Sequence, residues 1–200
     1  EDSAAYKLGI RSGDFLLSIN KKRPQDLIDY TLLTSSDKLK IKIRKESGES
    51  KEYSIENNGA DIGLCFEQAV FDGIKRCRNK CLFCFVDQMP PDVRETLKIK
   101  DDDYRLSFLQ GAYITLSNLA EEDWKRIGKL HLSPLYISVH STNPQTRGKL
   151  LGYHKPVPIM PQLSRLKELK IYFHAQIVVC PGINDGNDLA KTVDDLLGFY

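Results

Sequence analysis

The chain has 200 residues, 41% hydrophobic and 28% charged, with a net charge of +2, which bounds it as one large or two small globular domains. No apolar run approaches bilayer-spanning length and no secretory pattern opens the sequence, so no membrane association is indicated, and the near-balanced charge gives no indication of nucleic acid. Five cysteines, three of them clustered, favour a metal centre in a reducing cytoplasm over a set of disulfides.

Residues 1–60 read as a small β-rich module. Ser3 to Gly9 has the look of a short capped helix stopped by glycine. A glycine turn at Gly13 then feeds an apolar strand through Leu16, Leu17 and Ile19. Leu39 to Arg44 alternates apolar and basic residues, the period of a half-buried strand, and Glu52 to Glu56 pairs back on it across the turn Ser47-Gly48-Glu49. The run Ala5, Gly9, Ile10, Gly13, Asp14, Leu16, Leu17, Ser18, Ile19, Asn20 resembles a PDZ domain. The resemblance implies a docking module for a peptide or protein partner, truncated at its N-terminus because the family's first strands would precede Glu1.

The polar break Asn57-Asn58-Gly59-Ala60-Asp61 is the expected boundary to a second domain over 61–200. Ile62 to Glu67 and Ala69 to Phe71 read as strand, and Cys65 among apolar neighbours as a buried, inert thiol. Cys77, Cys81 and Cys84 follow in the spacing Cys-x3-Cys-x2-Cys. So short a loop brings thiolates together at little entropic cost. A zinc site would need a fourth ligand, from Cys65 or a distant histidine. An iron–sulfur cube takes one cysteine per iron, so three cysteines leave one iron open, either for chemistry or in a cluster that only carries electrons. Asp101-Asp102-Asp103 reads as a solvated turn, with a divalent-cation site as the alternative.

The remainder alternates strand and helix. Ala112–Leu116, Leu135–His140 and Phe173–Cys180 are strand-like; Ser117-Asn118, Asn143-Pro144 and Asn184 to Asp188 mark helix starts, and Ile159 to Leu169 carries a helical apolar stripe. Such alternation predicts an α/β fold, with helices covering a parallel sheet and a site at the carboxyl ends of its strands. Thr115, Ser138, His140, Gln176 and Cys180 share that address.

The cysteine spacing with aromatic Phe83 before the last cysteine resembles the radical S-adenosylmethionine superfamily. The longer strings from Lys75 to Pro90 and Lys100 to Leu119, with those around Ser138 and Cys180, resemble the DUF512 family of bacterial iron–sulfur proteins, in which a PDZ-like front precedes this core. The resemblance implies a partial TIM-like (β/α) barrel, truncated at its C-terminus. It also implies a 4Fe–4S cluster on Cys77, Cys81 and Cys84, S-adenosylmethionine on its open iron, and an electron donor. Cofactor contacts are expected at Phe83, Gly111, Thr115 and Asn118, at Ser138 and Arg147 near the methionyl carboxylate, and at Gln176 and Val178 near the adenosine. The family's Gly-Gly-Glu is replaced by Gly111-Ala112-Tyr113. Peptide recruitment around a structural or redox-sensing metal centre is the rival function.

Overall fold

The structure, a computed structural model, describes residues 3–200. The chain divides into two compact units, one ending at Gly73 and the other spanning Ile74–Tyr200.

In the first unit, Ser3 caps the short helix α1 (Ala4–Lys7), accepting from the Tyr6 N–H. Strands β1 (Phe15–Ile19), β2 (Lys38–Arg44) and β3 (Ser50–Glu56) form one antiparallel sheet in that order, with a bulge in β1 between Leu16 and Ser18. The alternation in β2 decides its orientation: Leu39, Ile41 and Ile43 are buried while Lys38, Lys40, Lys42 and Arg44 face water. These three side chains meet Ala5, Ile10, Ile19, Ile55 and Ile62 in a single core. Helix α2 (Leu27–Thr34), capped by Asp26, was not expected. Its apolar residues at 27, 28, 30, 32 and 33 are spread around the helix and give no stripe to recognise.

Residues 62–71 are not strand. They run irregularly along the first unit, joined to it by Ala5 N–H to Ile62 C=O, Leu27 N–H to Ala69 C=O and Phe71 N–H to Gln25 C=O, with only an isolated bridge between Asp26 and Val70. The positive φ of Gly63 interrupts any extended run, and a Cβ there would lie 2.2 Å from the Ser3 side chain. Cys65 consequently lies exposed on this irregular segment rather than buried in a strand.

The second unit is mixed α/β. Strands β4 (Leu135–Ser138) and β5 (Phe173–Gln176) are parallel neighbours, and Ile114 bridges in parallel to Ile137 on the other side of β4. The expected strand 112–116 thus shrinks to one bridge, because Gly111 caps the preceding helix α3 (Tyr104–Gln110) and Leu116 turns to φ 59°. The other two strands end before His140 and Cys180; His140 adopts φ 64°, outside strand geometry. Helix α4 (Glu121–Leu130) starts later than Ser117, with the Asp123 carboxylate accepting from the Ala120 N–H. Helices α5 (Pro144–Leu150) and α6 (Met160–Glu168) separate β4 from β5, and α7 (Gly186–Leu197) closes the unit. Asp188 of α7 accepts from Ser141 Oγ and Thr146 Oγ1, tying that helix to the segment after β4. Ile114, Ile127, Leu135, Ile137, Leu163 and Leu166 are fully buried between the strands and their helices.

Candidate functional site

Cys77, Cys81 and Cys84 lie on an irregular loop without strand or helix of its own. Such a loop must satisfy its polar groups elsewhere, and its bonds show where it is held. At its start, residues 75–77 run antiparallel to 100–102: Cys77 N–H donates to Lys100 C=O, Asp102 N–H donates to Lys75 C=O, and Arg76 bridges Asp101. Further along, Lys80 N–H and Leu82 N–H donate to Leu151 C=O and Leu150 C=O at the end of α5, each at 3.0 Å. Gly152 makes that approach achievable. It sits at φ 78°, and a Cβ there would lie 2.3 Å from the Lys80 carbonyl oxygen.

Asn79, between the first two cysteines, is the buried anchor, at 2% exposure. Its Nδ2 donates to Thr115 Oγ1 at 3.0 Å, and its Oδ1 accepts from Tyr153 Oη at 2.7 Å. Thr115 then donates to Asp102 from both its backbone N–H, at 2.6 Å, and its hydroxyl, at 2.7 Å. The cysteine loop is thereby fastened to the carboxyl side of the Ile114 bridge.

Asp102 and Asp103 are buried, at 1% and 0% exposure, which overturns the solvated-turn reading of the acidic run. Each has a structural partner. Burial raises the Asp102 pKa while the Thr115 hydrogen bonds pull against it. For Asp103 burial also acts upward, but the two-pronged Arg105 guanidinium and the backbone N–H groups of Lys75 and Arg105 win and hold it below the usual carboxylate range.

Arg147 is 1% exposed and binds the strand ends together, donating from Nε to Val139 C=O and from Nη2 to the carbonyls of Thr115 and Ser138. Burial lowers its pKa to about 10, opposed by Asp102, Cys81 and Tyr153. Phe83 packs edge-on against the His140 ring with centroids 4.6 Å apart. His140 Nδ1 accepts from Val178 N–H, leaving Nε2 to carry the ring proton, and its carbonyl accepts from Asn184. Gln176 C=O accepts from the N–H groups of Val139 and His140.

The expected site residues therefore gather unequally. Thr115, Ser138, Arg147, His140, Gln176 and Val178 are connected at the carboxyl ends of the strands, with Phe83 from the loop against His140. Asn118 joins them through Nδ2 to Asp102 C=O, and its buried Oδ1 has no partner among the described residues. Gly111 lies at the amino side of the Ile114 bridge as the left-handed cap of α3. Sequence reading missed Asn79, Asp102, Lys100 and Tyr153. Asn79 had a signal, its place inside the cysteine loop, whereas Tyr153 had none.

Burial raises the pKa values of Cys77 and Cys81, and for Cys81 the neighbouring Cys77 and Cys84 add to burial to push it up to about 11. The three sulfurs thus share one electrostatic neighbourhood. Among the described residues, no three His, Cys, Asp or Glu side chains close tightly enough to hold a single metal ion.

The second unit is thus a parallel α/β arrangement with a loop of three cysteines at its strand ends. The family model described as Radical SAM-like domain matches residues 56–200, and the chain belongs to that family. No curated protein and no solved structure matches it. Among the described residues no helix is long and apolar enough to cross a membrane.

Two outcomes are expected. Gly152→Ala combines left-handed strain with overpacking on Lys80, costing about 2–4 kcal/mol in urea unfolding, and loosens the loop so that Cys81 alkylates faster. His140 is held neutral by burial, with Arg147 adding to the effect, its pKa lowered to about 4. The unfolded chain therefore binds the extra proton between pH 6.5 and 4, so this contribution is complete above that window and lost as pH falls through it. Between pH 7 and pH 5 the wild type should lose about 2 kcal/mol more stability than His140→Asn, measured by urea unfolding.

Proposed function

We propose that the protein is a radical S-adenosylmethionine enzyme of the DUF512 type, abstracting a hydrogen atom from its substrate. The observation that carries this reading is the seat of the thiol loop: Cys77, Cys81 and Cys84 lie on a loop pinned through Asn79 and Thr115 to the carboxyl ends of parallel strands. Sites in parallel α/β folds lie at that edge.

The donor set fits a 4Fe–4S cluster better than zinc. A tetrahedral zinc draws its sulfurs to about 2.3 Å from one point. Here Cys81 feels both other thiols, and a four-coordinate zinc would need a fourth cysteine or histidine that this loop does not carry. Three thiolates suit a centre in which each meets its own iron. Three protein ligands leave the fourth iron for S-adenosylmethionine. When bound, the cluster and that cofactor supply reductive cleavage to methionine and a 5′-deoxyadenosyl radical.

The chain's own residues hold and shield this chemistry. Phe83 and His140 wall the loop with an aromatic contact, which favours exclusion of water. Asn118 offers its unpartnered Oδ1, and Ser138, Gln176 and Val178 line the strand ends where the cofactor is expected. Thr115 and Arg147 act indirectly in this reading: one anchors Asn79 and the other draws three strand-end carbonyls together. The Ile114–β4–β5 order, with α5 and α6 between the two strands, supports a partial (β/α) barrel. The first unit, an antiparallel sheet with α2, is read as PDZ-like and as the seat of a protein partner, and the five free cysteines favour a reducing cytoplasm with an external electron donor.

The test is anaerobic reconstitution with iron and sulfide, followed by dithionite and S-adenosylmethionine. The expected result is 5′-deoxyadenosine from wild type and at least a hundredfold less from Cys81→Ala. A loaded wild type yielding no more than the variant contradicts the reading.

A further inference from the structure

Lys100 has an unusual position relative to the cysteine loop. Its backbone is fixed opposite the first cysteine, its C=O accepting from Cys77 N–H at 2.9 Å. Its side chain then reaches along the loop: Nζ donates to Asn79 C=O at 3.0 Å and to Asp87 Oδ2 at 2.7 Å. Asp87 stands three residues beyond Cys84, with its side chain 53% exposed against 23% for Lys100. The ammonium and the carboxylate thus lie together beside the thiol loop, each within hydrogen-bonding reach of the Cys84 sulfur. Its charge is felt at Cys77 and Cys81, and the Cys84 sulfur lies close enough to act on Lys100 in turn. Arg76, Arg78 and Lys80 are carried by the same loop but extend into solvent.

We propose that Lys100 and Asp87 form an opposed charge couple that sets the reduction potential of the centre held by Cys77, Cys81 and Cys84. The proposal rests on the iron–sulfur reading above. Its physical basis is simple. One-electron reduction adds a negative charge to the centre, so a half-buried cation beside it favours the reduced form and raises the potential. An anion paired with that cation and reaching the same sulfur acts in the opposite direction. Net charge and hydrogen bonding at the sulfurs are recognised determinants of such potentials, and a partly buried pair is weakly screened by salt. Lys100 therefore matters to when the centre accepts an electron from its donor, a role apart from ligation.

The experiment is a spectroelectrochemical titration of the reconstituted full chain without S-adenosylmethionine, using dithionite as the reductant, followed by visible absorbance and the paramagnetic signal of the reduced form. Lys100→Met should shift the reduction equilibrium at least tenfold toward the oxidised form, 59 mV lower for one electron, and Asp87→Asn should shift it toward the reduced form. Lys100→Arg should keep the potential near wild type. A purely structural role would alter iron content without shifts of opposite sign. If Lys100→Met fails to load, the exposed, isosteric Asp87→Asn decides alone. Loaded variants whose equilibria stay within about twofold of wild type, or shift in the same direction, overturn the charge couple and leave the enzyme reading standing. A wild type that takes up no cluster overturns both.

Discussion

The second unit depends on how Asn79 is held. A cysteine loop has no ladder of its own, and a metal centre needs its ligands within a narrow geometry before the metal arrives. Asn79 resolves this by turning inward between Cys77 and Cys81 and making side-chain hydrogen bonds to Thr115 and Tyr153. One contact leads to the sheet through Asp102, the other to the turn after α5. Gly152 lets that turn approach the loop backbone, and the Lys80 and Leu82 N–H groups complete the seat. Removing the Asn79 amide would leave a buried Thr115 and a half-buried Tyr153 each short of a partner, a cost of about 1–3 kcal/mol per group.

Around this anchor the most deeply buried charges each have a partner, whereas the buried Oδ2 of Asp101 has none among the described residues and burial raises that carboxyl. Asp102 accepts from the Thr115 backbone and hydroxyl, Arg147 donates to three strand-end carbonyls, and Asp103 pairs with Arg105. Burying charge is costly unless such partners exist. The arrangement ties the strand ends together while leaving Asn118 Oδ1, among the described residues, buried without a partner. At Cys81, burial and the neighbouring Cys77 and Cys84 raise the thiol, countered by Lys100 and a backbone hydrogen bond.

Much of this was legible from residues alone. The β2 alternation of Leu39, Ile41 and Ile43 with basic residues foretold both strand and face, and the Phe83-Cys84 pairing pointed to the family. Other features were hidden for identifiable reasons. Asp101-Asp102-Asp103 looked solvated because burial of carboxylates depends on partners remote in sequence, here Thr115 and a backbone N–H of Lys75. Residues 62–71 have strand composition but pair at only one bridge, so an extended segment was mistaken for a ladder. Lys100 is unremarkable in the sequence; only the antiparallel pairing of 75–77 with 100–102 brings it to the thiols.

The central claim is that three thiolates on this pinned loop grasp a cluster rather than an ion. It is tested most directly by elemental analysis of anaerobically reconstituted protein, measuring iron, acid-labile sulfide and zinc per chain. The account predicts about four irons and four sulfides per chain, lost on replacing Cys77, Cys81 or Cys84 and unaffected by replacing Cys65. One zinc per chain with no labile sulfide would contradict it.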